Sequence, residues 1–94
     1  MENKIHTDEE LIQLRLETKD NFFLEQLIKR YTPLIKSLLT VYKIPKQDYE
    51  DSYQELLLIF IKLVNKYKPG EVNFKGYIKD RLKKRYYNYI RKNY

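Results

Sequence analysis

Apolar side chains recur along this chain at steps of three and four residues, and residues that interrupt helices are few. Glycine occurs twice and proline three times among 94 residues. Steps of three and four place side chains on one side of an α-helix, and the two-residue alternation typical of strands is not found. The pattern predicts an all-α fold, a compact bundle of about four helices that forms one domain over residues 1–94, with its core at about 8–92.

The first two helices are indicated by a capping sequence and a long apolar pattern. Thr7 and Glu10 have the spacing of a capping box, in which each side chain accepts a hydrogen bond from the backbone of the other residue. We expect a short helix over 8–18. A second helix is predicted after a turn and cap at 19–21, because an apolar period from Phe23 to Tyr42 continues through Pro33, where we expect a bend.

A third helix is predicted from Tyr49 to Tyr67, with Asp48 as its N-terminal cap. At about 100° per residue, its apolar side chains share one side. These are Tyr49, Tyr53, Leu56, Leu57, Phe60, Val64 and Tyr67. The opposite side aligns Asp51, Gln54, Glu55, Leu58, Lys62 and Asn65. An exposed leucine among acids and amides is a plausible docking surface.

The fourth helix, capped by Asn73 and ending near Lys92, combines an apolar stripe with most of the excess positive charge. Its inward stripe is Phe74, Ile78, Leu82, Tyr89 and, at the edge, Tyr86. Residues 73–94 contain eight of the 19 Lys and Arg residues but one of the 13 acids. Basic side chains interleaved with tyrosines favour a nucleic-acid partner, although codon bias could also raise the Lys and Tyr content.

Several classes of function are disfavoured by composition. Cysteine is absent, and the one histidine, His6, has no metal-ligand spacing around it. Paired carboxylates such as Glu9 and Glu10 fall on predicted helix surfaces, and no catalytic set or phosphate loop is found. We therefore expect a protein that is not an enzyme and has no cofactor or metal. The N-terminus is acidic, unlike a signal peptide, and the longest apolar run, Leu56–Ile61, is too short to span a bilayer. Both features favour a cytoplasmic protein without membrane contact.

Three further motifs carry a resemblance to a known family. Asp51-Ser52-Tyr53-Gln54-Glu55 resembles an Asp-Leu-x-Gln-Glu signature, Phe74-Lys75-Gly76-Tyr77-Ile78 resembles a Phe-x-x-Trp/Tyr-Leu helix start, and Asn88–Lys92 resembles an Asp-Tyr-Leu-Arg-Arg helix end. Together with the Tyr31-Thr32-Pro33 segment, they are similar to region 2 of the sigma-70 family of bacterial transcription initiation factors. The extracytoplasmic-function and clostridial toxin-regulator types are the most similar.

The resemblance implies two partners, core RNA polymerase and promoter DNA. The third helix would bind the clamp helices of the polymerase β′ subunit, with contacts from Asp51, Gln54, Glu55, Leu58 and Lys62. The fourth helix would bind the −10 element and capture its single-stranded non-template strand. The implied DNA-binding residues are Lys68, Asn73, Lys75, Tyr77, Lys79, Lys83, Lys84, Tyr87 and Arg91, with residues 68–73 as the base-recognising loop.

Two departures from the family leave other interpretations open. Asp80 and Arg81 stand near the positions of paired tryptophans, and no helix-turn-helix for the −35 element (region 4) fits after Lys92. The sequence would then be an excised domain or part of a split factor. Its further partners would be a second chain that supplies region 4, or an anti-sigma factor. Alternatives are an adaptor or phage regulator that occupies polymerase without recognising promoters, and a generic basic nucleic-acid-binding bundle.

Overall fold

Four α-helices contain most of the residues that the structure, a computed structural model, describes; these are residues 6–68, 70 and 72–93. Helix α1 spans Asp8–Thr18, α2 spans Asn21–Val41, α3 spans Tyr49–Lys66 and α4 spans Phe74–Asn93. A 3-10 turn at Lys46–Asp48 precedes α3, and no strand occurs within the described ranges. The predicted all-α bundle is confirmed.

Local capping explains where α1 begins and ends. The Glu10 N–H donates to the Thr7 hydroxyl at 3.1 Å, and the Thr7 N–H donates to the Glu10 carboxylate at 2.7 Å. The predicted capping box is therefore present. Lys19 then adopts a left-handed backbone conformation, with φ of 59°, and this conformation ends the helix at Thr18.

Helix α2 continues through Pro33, as predicted, and supplies the middle of the core. Leu27 and Ile35 on its inner side are completely buried. Pro33 lies on the exposed side, where water can solvate the carbonyl that has lost its usual N–H partner. The helix can therefore contain a proline at the cost of one backbone hydrogen bond.

The predicted cap of α3 is wrong. Asp48 occupies the N-cap position, but its side chain accepts no capping hydrogen bond. Its backbone belongs to the preceding 3-10 turn, with φ of −100° and ψ of 1°, whereas a capping residue normally has an extended backbone. The end of α3 agrees with prediction to within one residue, since Tyr67 is its C-cap.

The core differs from the predicted stripes at both α3 and α4. Tyr49 was expected on the buried side of α3 but is 39% exposed, while Ser52 and Leu63 are completely buried. On α4, Tyr86 lies fully inside the core rather than at its edge. The ring of Tyr86 packs against Tyr42 at the end of α2, at a centroid distance of 5.6 Å, and this contact with α2 explains its burial.

Helix α1 joins the other helices through polar contacts as well as apolar ones. Leu11 and its neighbour Ile12 are buried, each 2% exposed. Asp8 forms a 3.0 Å ion pair with Arg30 and accepts a hydrogen bond from the hydroxyl of the buried Tyr31. Helix α3 packs against both α2 and α4, and α1 touches α4 as well as α2.

Replacement of Tyr31 by phenylalanine is expected to lower the free energy of unfolding by about 1 kcal/mol at neutral pH, because Asp8 loses a buried donor. Burial, and then the hydrogen bond to Asp8, raise the pKa of Tyr31. The unfolded chain therefore releases this proton at lower pH than the folded protein does. The resulting stabilisation is present below about pH 10 and is lost as pH rises through the raised folded-state pKa.

Denaturant unfolding of Tyr31→Phe and wild type between about pH 9 and 11 measures this effect. The variant should lose less stability over that interval than wild type. Tyr53→Phe, at a tyrosine that is also partly buried, is the matched control. Equal alkaline losses in wild type and Tyr31→Phe would contradict the expectation.

Candidate functional site

One exposed face of α3 carries the predicted polar residues. Asp51, Gln54, Leu58 and Lys62 are exposed, and Glu55 is half-buried. We call these five residues the α3 face. Leu58, at 53% exposure, is an apolar side chain presented to solvent at the centre of a polar surface. Single exposed leucines are ordinary on helix surfaces, but this one has charged and amide groups around it that can supply the polar rim of a protein contact.

The burial of neighbouring residues explains why this face points outward. Ser52 and Leu56 are completely buried against the rest of the bundle. Because successive residues of a helix are separated by 100°, burying these two turns Asp51, Gln54 and Glu55 away from the core. Small and apolar residues within the motif therefore orient its polar residues.

An open groove of about 610 Å³ adjoins the α3 face. It lies between the second half of α2 and the beginning of α3, and Gln54 is shared by the groove and the α3 face. Leu39 and Tyr53 give the groove an apolar component, while Lys36 and Glu50 carry opposite charges. A partner docked on the α3 face could insert a side chain here.

The predicted DNA-binding residues on α4 and before it lie at the surface, with one exception. Eight are exposed: Lys68, Asn73, Lys75, Lys79, Lys83, Lys84, Tyr87 and Arg91. Tyr77, which was predicted to point outward, is instead half-buried. Its hydroxyl donates to the Leu63 carbonyl at 3.0 Å, and its ring packs on Tyr67 at 5.1 Å.

The position of Tyr77 follows from the way α4 begins beside the end of α3. A helical wheel of α4 alone contains no information about that neighbouring helix. The Arg81 guanidinium lies 5.3 Å from the centroid of the Tyr77 ring, within the range of a cation–π contact. Tyr77 therefore forms part of a pocket wall, and only part of its ring is accessible.

This pocket has a volume of about 320 Å³ and combines aromatic and cationic side chains. Its lining residues are Lys66, Tyr67, Lys68, Val72, Tyr77, Arg81 and Arg85. We call it the aromatic-basic pocket. Its four cations can attract a phosphate, and the accessible part of the half-buried Tyr77 ring can contact a planar group, whereas Tyr67 is only 6% exposed.

Lys66, Arg81 and Arg85 are not in the set predicted from the sequence. Tyr77, Arg81 and Arg85 recur at four-residue steps, so their common side of α4 was a signal available in the sequence. Lys66 belongs to the pocket because α3 and α4 meet there, and no local pattern indicates that contact. Conversely, Lys75 and Lys79 lie outside the lining of the pocket.

The pocket is held by hydrogen bonds at the start of α4. The Tyr67 hydroxyl donates to the Val72 carbonyl, which fixes one position of the segment before α4 to the end of α3. The Asn73 side chain accepts from the Gly76 N–H at 3.2 Å, which confirms the predicted cap. Pro69 and Glu71, within the predicted base-recognising loop, lie outside the described residues.

A second cap of α4 comes from α1. The Glu9 carboxylate accepts a hydrogen bond from the Phe74 N–H at 2.9 Å, across 65 residues of sequence. Glu9 was expected on a helix surface and is partly exposed there, but its capping role was not predicted. Its negative charge lies at the positive end of the α4 dipole and satisfies a backbone donor that has no partner within the helix.

The described residues offer no other chemistry that stands out. No group of three His, Cys, Asp or Glu side chains among them could hold a metal ion. The His6 imidazole lies 3.9 Å from the Glu10 carboxylate, a contact within one helical turn. No helix in the described part of the chain is both long and apolar enough to cross a bilayer.

Comparison with known proteins gives one match. A family model described as Sigma-70 region 2 matches residues 27–94. The match begins within α2 and includes all of α3 and α4, whereas α1 with Glu9 precedes it. Searches of curated proteins and of solved structures found no significant match.

Glu9→Ala is expected to lower the free energy of unfolding by about 1 to 2 kcal/mol, because it removes a cap from α4. Glu9→Gln should restore part of that loss, since the amide oxygen can still accept from Phe74. Chemical denaturation followed by helical circular dichroism provides the measurement. Glu17→Ala, which removes only an exposed contact with Gln13 inside α1, is the control. Equal losses for the two alanine variants would argue against the cap.

Proposed function

Because the chain belongs to the Sigma-70 region 2 family, we propose that it binds the β′ clamp helices of RNA polymerase through the α3 face and the opened −10 element through α4. Domains of this family are parts of transcription factors, not enzymes, and they bind core RNA polymerase and promoter DNA. The proposal assigns those two partners to particular surfaces of this chain. Since core polymerase is a bacterial cytoplasmic enzyme, the protein would act in that compartment.

The observation that carries the proposal is the separation of two different surfaces along α3. Gln54, in the α3 face, and Lys66, in the aromatic-basic pocket, are about 18 Å apart along the helix axis, at 1.5 Å per residue. One surface is acidic and amide-rich around a leucine, and the other is cationic and aromatic. The acidic and amide residues of the α3 face are therefore far enough from the pocket to contact a different partner, while Lys62 of that face lies one turn, about 6 Å, from Lys66.

The polymerase assignment is supported by the exposure of the signature residues. Within the described part of the chain, the side chains of Asp51 and Gln54 make no hydrogen bond or ion pair with another side chain. Glu55 is partly accessible beside them. Carboxylate and amide groups suit a partner surface with basic and polar side chains. Leu58, at 53% exposure, adds an apolar side chain that a partner could cover.

The DNA assignment is supported by the composition of the aromatic-basic pocket. Its lysines and arginines can neutralise phosphates, and its tyrosines lie where an unpaired base could enter. Each stacked base contributes about 1 to 3 kcal/mol, which offsets part of the cost of unpairing. A duplex keeps its bases stacked inside the helix, so this arrangement favours a single strand.

Binding to the clamp helices should weaken at least about tenfold in a Gln54→Ala, Glu55→Lys double variant, because an amide contact is lost and a charge is reversed. Titration of a β′ clamp-helix fragment against labelled protein measures the change. The matched control is Gln26→Ala with Glu25→Lys, which makes the same two substitutions on α2. Unchanged affinity of the α3 variant would remove the polymerase assignment.

Single-stranded −10-like DNA should bind with an affinity that falls steeply as salt is raised. The Arg81→Gln, Arg85→Gln variant should bind more weakly and reduce the slope of log K against log salt by about 1.4, or about 0.7 per lost phosphate contact. Fluorescence anisotropy at several salt concentrations tests this expectation.

The control for this variant is Lys29→Gln with Lys36→Gln, which removes two exposed positive charges from α2. Equal slopes for both variants would mean that only net charge matters, as in a generic basic bundle. Clamp binding without any DNA binding would instead favour an adaptor that occupies polymerase without recognising promoters.

A further inference from the structure

Three depressions on the surface of α4 adjoin one another and form a continuous band across the helix. The first is the aromatic-basic pocket. The second, of about 170 Å³, shares Arg81 and Arg85 with that pocket. The third, of about 330 Å³, shares Asp80 and Lys84 with the second. The band therefore passes from the α3 side of α4 to its α2 side, and cationic side chains line each of its three parts.

The third depression has its own pair of aromatic rings, from two different helices. Tyr42, the C-cap of α2, lies 6.3 Å from Tyr87 of α4 between ring centroids. Tyr87 is 49% exposed, so part of its ring is accessible. Lys83 and Lys84 complete the lining together with Asp80. We call this set the second aromatic site.

The charges of the second aromatic site favour an anionic partner. Lys84 pairs with Asp80 at 3.3 Å, and both side chains are well exposed. Lys83 is exposed on the adjacent position, and the Arg91 guanidinium lies 5.8 Å from the centroid of the Tyr87 ring. Two lysines and an arginine outnumber one aspartate, and an exposed ion pair opens at little cost when a phosphate competes for the lysine.

We propose that a single strand held in the aromatic-basic pocket continues across α4 and stacks a further base at Tyr42 and Tyr87. This inference rests on the proposed function and extends its DNA site to a residue of α2. Rings at both ends of the band, with arginines between them, alternate stacking surfaces and phosphate contacts as a single strand requires. The inference assigns Tyr42, in the connection between α2 and α3, to nucleic-acid binding.

The experiment compares two −10-like single strands, one of about 5 nucleotides and one of about 12, to separate occupation of the pocket from occupation of the whole band. Wild-type protein should bind the longer strand more tightly. Tyr87→Ala should weaken binding of the longer strand about 5- to 100-fold and leave binding of the shorter strand unchanged. Lys83→Gln should lower the salt slope for the longer strand alone.

Tyr42→Leu tests the contribution of α2, since leucine keeps an apolar contact with Tyr86 but cannot stack on a base. If its unfolding temperature matches wild type, Tyr42→Leu should weaken binding of the longer strand alone. Tyr42→Phe, which keeps the ring, should bind both strands as wild type does, and weaker binding of the longer strand by Tyr42→Phe would contradict stacking at this position. Tyr49→Ala and Lys29→Gln are controls for an exposed tyrosine and an exposed lysine elsewhere.

The outcomes separate this inference from the function on which it rests. If the shorter strand binds but the longer strand gains nothing, or if Tyr87→Ala weakens both strands equally, the second aromatic site is wrong while the pocket remains. If a duplex extension, rather than a longer single strand, restores dependence on Tyr87, the site binds double-stranded DNA and the inference fails. If wild type binds neither strand, both the inference and the DNA assignment are overturned.

Discussion

The start of α4 depends on a single buried residue that contacts all of the other helices. The Phe74 ring is completely buried and lies within 7 Å, between centroids, of Tyr31 on α2, Phe60 on α3 and Tyr67 at the end of α3. Its backbone N–H donates to Glu9 on α1. If this position moved, the segment before α4 and the wall of the aromatic-basic pocket would move with it.

The two candidate surfaces depend on different parts of the core. The α3 face depends on the burial of Ser52 and Leu56, which lie near the start of α3. The aromatic-basic pocket depends on the junction of α3 and α4, where Tyr77 bonds to Leu63. A change at the junction should therefore disturb the aromatic-basic pocket more than the α3 face. Helix α1, which precedes the matched part of the chain, supports the start of α4 beside the aromatic-basic pocket through Glu9.

Local sequence signals were sufficient wherever the deciding contacts were local. The Thr7 and Asn73 caps, the end of α1 and the continuation of α2 through Pro33 all agree with prediction, because each depends on residues within one or two turns. Asp48 is the exception, because a local 3-10 turn that was not predicted gives it a backbone conformation unsuited to capping. The α3 face was predictable because helical periodicity alone sets which of its side chains are outward.

Amino-acid sequence by itself determined the helices, most of their apolar stripes and the concentration of positive charge at one end, because these depend on spacing and composition. Tertiary structure decided which positively charged side chains lie together at one site. Lys66 joins Arg81 and Arg85 only where α3 meets α4, and Tyr42 joins Tyr87 only where α2 ends against α4. It also turned Glu9 from a surface carboxylate into a cap. Contacts between residues far apart in sequence depend on how helices pack, and the period of one helix contains no information about its neighbour.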